Sequence, residues 1–103
     1  MELTLDDDGS RRTVLVGEEV VVKLPETPTT GYQWRLDGAI SGLQLTGDSY
    51  EAATPIPRGA PGVHVFTLRA VREGEATLKV VEGRSWENHT VRTFHVKLDV
   101  RAS

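Results

Sequence analysis

The sequence predicts an all-β protein, a sandwich of about seven to eight antiparallel strands, and three observations carry this. Apolar residues recur with a period of two along most of the chain. Turn signals separate the runs at short intervals: Asp8-Gly9, Gly17, Arg72-Glu73-Gly74 and Gly83. No stretch carries the 3.6-residue periodicity of an amphipathic helix, and there is no internal repeat or low-complexity tract. With 103 residues, the chain is read as one domain, 1–103, long enough for a single core.

Residues 3–5 and 13–16 are two short edge candidates. Val20, Val22 and Leu24 then alternate with Val21 and Lys23. Tyr32, Trp34 and Leu36 alternate with Gln33 and Arg35, which makes Trp34 a core residue. Leu43, Leu45 and Tyr50 suggest a weak strand or two in the less regular stretch 38–62. Residues 52–62 hold Pro55, Pro57, Pro61, Gly59 and Gly62, the composition of a stiff surface loop. Phe66, Leu68 and Ala70 form the next run, and Ala76, Leu78 and Val80 the one after it. The Arg72 to Gly74 connection is short enough for a hairpin between them. Residues 83–89 read as an irregular segment before the last run of Phe94, Val96, Leu98 and Val100. Such runs are strands with one buried face, and their number suggests an immunoglobulin-like outline with Greek-key links.

Composition narrows the function. Twelve Lys and Arg against fifteen Asp and Glu give a formal net charge of −3, which argues against general binding to nucleic acid or a membrane surface. No apolar run approaches the roughly 20 residues that span a bilayer. Cysteine is absent, which excludes disulfides, a thiolate nucleophile and thiolate zinc sites. Residues 1–10 are acidic and lack an apolar h-region, so no signal peptide is visible. Either a cytoplasmic protein or a mature exported chain fits.

Two loops carry chemistry suited to contact. In Thr27-Pro28-Thr29-Thr30-Gly31-Tyr32, Pro28 fixes its own φ and biases Thr27 toward an extended backbone. Thr29 and Thr30 are β-branched and stiff, and Gly31 permits a reversal. From its residues alone the segment reads as an ordinary turn, and a loop that needs no ordering on contact also suits the cleft of another protein. Trp86 lacks apolar partners at i±2, having only Arg84 and Asn88, and reads either as an exposed anchor or as a loop tryptophan folded onto the sandwich edge. His64, His89 and His95 lack metal-ligand spacing and read as solvated or strand-edge residues, so no metal is expected. Ser85 with His89 has no acid placed by motif and no strand-to-helix elbow. Asp6-Asp7-Asp8-Gly9 is a turn without the twelve-residue calcium loop. Asn88-His89-Thr90 fits a glycosylation sequon, at a position where a glycan would obstruct the Trp86 loop.

Three segments together resemble one family, the chagasin-type inhibitors of papain-like cysteine proteases. Residues 27–32 resemble its Asn-Pro-Thr-Thr-Gly loop followed by Tyr or Phe. Gly59-Ala60-Pro61-Gly62 resembles its Gly-X-Gly-Gly loop, and Arg84-Ser85-Trp86 its Arg-Pro loop followed by Trp or Phe. Thr27, Pro61 and Ser85 depart from that pattern, standing where the family has Asn, Gly and Pro. The resemblance implies a reversible proteinaceous inhibitor, not an enzyme, that blocks the active-site cleft with three loops and needs no cofactor. It implies that Thr27, Pro28, Thr29, Thr30, Gly31, Tyr32, Gly59, Ala60, Pro61, Gly62, Arg84, Ser85 and Trp86 meet the protease. Thr29 would approach the catalytic Cys and His, with the other two loops on either side. A monomer is expected. The alternative is an immunoglobulin-like adhesion or accessory module that turns the same loops to another protein.

Overall fold

The computed structural model describes residues 1–38, 41–52 and 61–102. The described residues form eight strands: β1 (Glu2–Leu3), β2 (Arg11–Leu15), β3 (Glu19–Glu26), β4 (Tyr32–Leu36), β5 (Leu43–Glu51), β6 (Gly62–Ala70), β7 (Gly74–Arg84) and β8 (Thr90–Arg101). Single 3₁₀ turns at Leu5–Asp7 and Pro28–Thr30 are the helical elements among the described residues. The strands form two four-stranded sheets, one in the order β1-β3-β6-β5 and the other β2-β8-β7-β4. The sandwich and its strand number follow the sequence reading.

The period-two pattern sets which face is buried. Val20, Val22 and Leu24 of β3, Phe66 and Leu68 of β6, Leu78 and Val80 of β7, and Phe94, Val96 and Leu98 of β8 are fully buried between the sheets. Trp34 on β4 joins them at 2% exposure, as its apolar alternation partners indicate. Non-directional burial of this apolar stripe is the main force holding one sheet on the other.

Two expectations are corrected. Not every pairing is antiparallel: β1 runs parallel to β3 and β2 parallel to β8. The chain changes sheets between β1 and β2, so neither edge strand is tied to its neighbour by a hairpin that would force opposite directions. Residues 71–73 do not close a β6–β7 hairpin. β6 already has β3 and β5 as neighbours, and β7 has β4 and β8, so that turn carries the chain across to the other sheet. Among the described residues, the stretch read as a weak strand or two holds one edge strand, β5, with a register shift between Leu45 and Gly47. The irregularity breaks the alternation and twists an exposed edge, which discourages edge-to-edge pairing. Two boundaries also move: β6 already begins at Gly62 and β7 runs on to Arg84.

The pairings gather the loops at one end. Glu26, the last residue of β3, pairs with Gly62, the first of β6. In the other sheet Tyr32, the first of β4, pairs with Arg84, the last of β7. Residues 27–31 cross between these two corners, and residues 85–89 join β7 to β8 beside them.

Candidate functional site

The loop at 27–31 is held by its own atoms. Thr30 donates its amide to the carbonyl oxygen of Thr27 at 3.1 Å, closing the 3₁₀ turn. Its hydroxyl donates to the same carbonyl at 2.7 Å and accepts the amide of Tyr32 at 3.2 Å. Threonine supplies both bonds because its hydroxyl is donor and acceptor at once. Gly31 follows with φ at +78°, a conformation disfavoured for any residue with a Cβ. Thr29 and Thr30 are exposed at the tip.

The third loop locks onto the first. Arg84 Nε donates to the carbonyl oxygen of Thr30 at 3.0 Å, and its Nη1 meets Glu87 Oε1 at 3.2 Å. The same guanidinium lies 4.1 Å from the ring centre of Tyr32 and 5.8 Å from that of Trp86. A planar guanidinium can stack and donate together, which a lysine ammonium cannot. Trp86 is 69% exposed, yet its indole lies against Gly31, where an added Cβ would overlap Cη2 of the ring. Gly31 is thus required twice, by its backbone angle and by the indole.

Of the middle segment, Gly59 and Ala60 lie outside the described residues. Pro61 is exposed. Gly62 is buried, and a Cβ there would overlap the Tyr50 hydroxyl and the Glu51 carbonyl oxygen. Ser85 is exposed between Arg84 and Trp86. An open pocket of about 350 Å³ lies behind the third loop, lined in part by Gln33, Arg35, Gly83 and Asn88.

Beneath the loops the sandwich is closed by polar groups that the sequence reading missed. Glu26 and Glu82 are buried, at 5% and 8% exposure. Glu26 Oε1 accepts the amide of Trp34 at 2.7 Å, while Trp34 Nε1 donates to the carbonyl oxygen of Pro25 at 2.8 Å. Glu82 accepts from Arg92 Nε at 3.2 Å, and that guanidinium lies 4.9 Å from the Trp34 ring centre. His64 is neither solvated nor on an edge strand as expected, since β6 lies between β3 and β5. Its ring stacks on Phe66 with centroids 4.3 Å apart, and its two nitrogens face Glu26 and Asp48. The signal was present as parity: Glu26, Glu82 and His64 continue the inward-facing positions of Leu24, Val80 and Phe66. No cluster of metal-ligating side chains occurs among the described residues.

Two interlocked loops, with an indole held out to solvent, thus occupy one end of the sandwich. Comparisons with known proteins identify the family. A family model described as the chagasin family peptidase inhibitor I42 matches residues 13–98. Amoebiasin-1 of Entamoeba histolytica is 33% identical over 104 residues, which cover 98% of this chain and all of that protein. The chain therefore belongs to the chagasin family of peptidase inhibitors. The crystal structure of the cysteine protease inhibitor EhICP2 from Entamoeba histolytica has the same fold, with a TM-score of 0.87 at 24% identity, over 97% of this chain and 94% of that one. PbICP-C, solved in complex with falcipain-2, shares the fold at a TM-score of 0.67 and 14% identity, over 100% of this chain and 90% of that one.

Proposed function

We propose that the loop end of this chain inhibits papain-like cysteine proteases by filling the active-site cleft, with residues 27–32, 59–62 and 84–86 as the three parts of the wedge. The observation that carries this reading is the joint between the first and third loops. Arg84 bonds Thr30, and Trp86 rests on Gly31, so both loops present one shape before any contact. Ordering costs of roughly 0.5–1.5 kcal/mol per immobilised side chain are then largely avoided on binding. Thr29, exposed at the tip, is the group that would approach the catalytic Cys and His. Such an inhibitor needs no chemistry of its own: it excludes substrate and water by occupying the cleft. That PbICP-C, which shares the fold, is held in a complex with falcipain-2 supports a protease as the partner.

A titration against a papain-like protease with a fluorogenic peptide tests it. Stoichiometric, reversible loss of activity is expected, with the chain recovered uncut and serine and metalloproteases unaffected. Full activity in the presence of excess chain, or cleavage within the three loops, would overturn it.

Gly31→Ala probes the joint itself. An alanine there meets the cost of the left-handed conformation, about 1–2 kcal/mol, and pushes the indole off its seat. The expected result is a modest fall in melting temperature, with inhibition weakened by on the order of tenfold. An unchanged inhibition constant would show that the joint does not matter for binding.

A further inference from the structure

We propose that Glu26 and His64, neither of them in a loop, are positioning residues that brace the wedge from below. The proposal rests on the reading of the loops as the inhibitory surface. In the family pattern an asparagine amide stands at the position of Thr27; here Thr27 has none, and a carboxylate one residue earlier occupies the base of the loop.

Glu26 Oε1 has two nitrogens within hydrogen-bond distance. One is the Trp34 amide at 2.7 Å, a bond that closes the loop at its root because Glu26 and Trp34 lie eight residues apart on either side of it. The other is His64 Nδ1 at 2.9 Å. His64 Nε2 lies 2.5 Å from Asp48 Oδ1 on β5. One chain of contacts therefore runs from the β4 backbone through β3 and β6 to β5, spanning both sheets. It joins the root of the first loop to the strand that leaves the middle segment, since His64 is the third residue of β6. The His64 side chain is only 13% exposed and stacks on Phe66, so the ring has little freedom to leave.

A buried carboxylate must be compensated by donors. Without His64, Glu26 keeps one donor and gains by turning toward water, which loosens the bond to Trp34 and with it the loop above. Binding then has to supply the ordering that the brace provides in advance.

Two substitutions separate bracing from space-filling. In His64→Asn the amide nitrogen can stand near the position of Nδ1 and serve Glu26. In His64→Gln the longer amide reaches the position of Nε2 and serves Asp48 instead. His64→Leu removes both ring nitrogens. Inhibition of a papain-like protease by His64→Leu is expected to weaken about tenfold, and by His64→Gln nearly as much, while His64→Asn stays within about threefold of the parent. Val100→Ala, at a buried site near the opposite end of β8, serves as the control for a plain loss of stability. In the free chain, amide hydrogen exchange at Thr30, Tyr32 and Trp34 is expected to quicken in His64→Leu and His64→Gln but not in the control. Equal inhibition by the Asn and Gln variants, or loop exchange no faster than in Val100→Ala, would overturn the proposal. If the parent chain inhibits no papain-like protease, the inhibitory reading fails, and the exchange measurement still decides the brace.

Discussion

Trp34→Ala is expected to destabilise the domain by about 3–5 kcal/mol, the range for removing a large buried aromatic. At roughly 4–8 °C per kcal/mol for a domain of this size, its melting temperature should fall by well over ten degrees. Trp34 is 2% exposed and packs in the cluster that includes Phe66 and Phe94. Alanine leaves a cavity there, strips the Pro25 carbonyl oxygen of its Nε1 donor and removes the ring over which Arg92 lies. Its backbone bond to Glu26 does not depend on the side chain, so the loop root retains its closure for as long as the domain is folded. Inhibition measured well below the melting point should therefore suffer far less than stability. Thermal melts and inhibition constants on the same samples check both halves.

Trp86→Ala is expected to do the reverse. Loss of about 2 kcal/mol or more in protease binding is the scale for an aromatic anchor at the centre of an interface, on the order of thirtyfold in the inhibition constant. The domain should keep its melting temperature, because the indole is 69% exposed and touches the loop, not the core. Arg84 still holds Thr30 and Tyr32 in the variant. Equal loss of stability in the two tryptophan variants would contradict the division of roles between them.

Much of this was legible in the chain. Strict alternation from Phe94 to Val100 and from Val20 to Leu24 identifies strands and their buried faces, because a pleated strand turns alternate side chains to opposite sides. Trp34 and Trp86 separate on the same ground: one alternates with apolar residues, the other with Arg84 and Asn88. The less legible features are non-local or interrupted. Gly47, Asp48 and Ser49 break the pattern of β5, where a bulge absorbs the mismatch. The route from β6 to β7 depends on each strand already having two partners, which no local window records. Glu26 and Glu82 look like the polar ends of apolar runs, yet they continue inward because His64 lies 38 residues from Glu26 and Arg92 ten from Glu82. Compensation of a buried charge is a property of the folded chain, so residue type alone reads it as exposure.

The most direct test of the wedge is to map where a protease touches the chain. The ¹⁵N-labelled protein would be titrated with a papain-like protease whose catalytic cysteine is capped by a methylthio group, and amide shifts followed by NMR. The inhibitory reading requires the largest changes at residues 29–32 and 84–86 and at the Trp86 indole N–H. The Trp34 indole N–H and the strands at the opposite end should move little. Changes confined to the β5 edge or to an outer sheet face, with residues 29–32 and 84–86 unmoved, would contradict it.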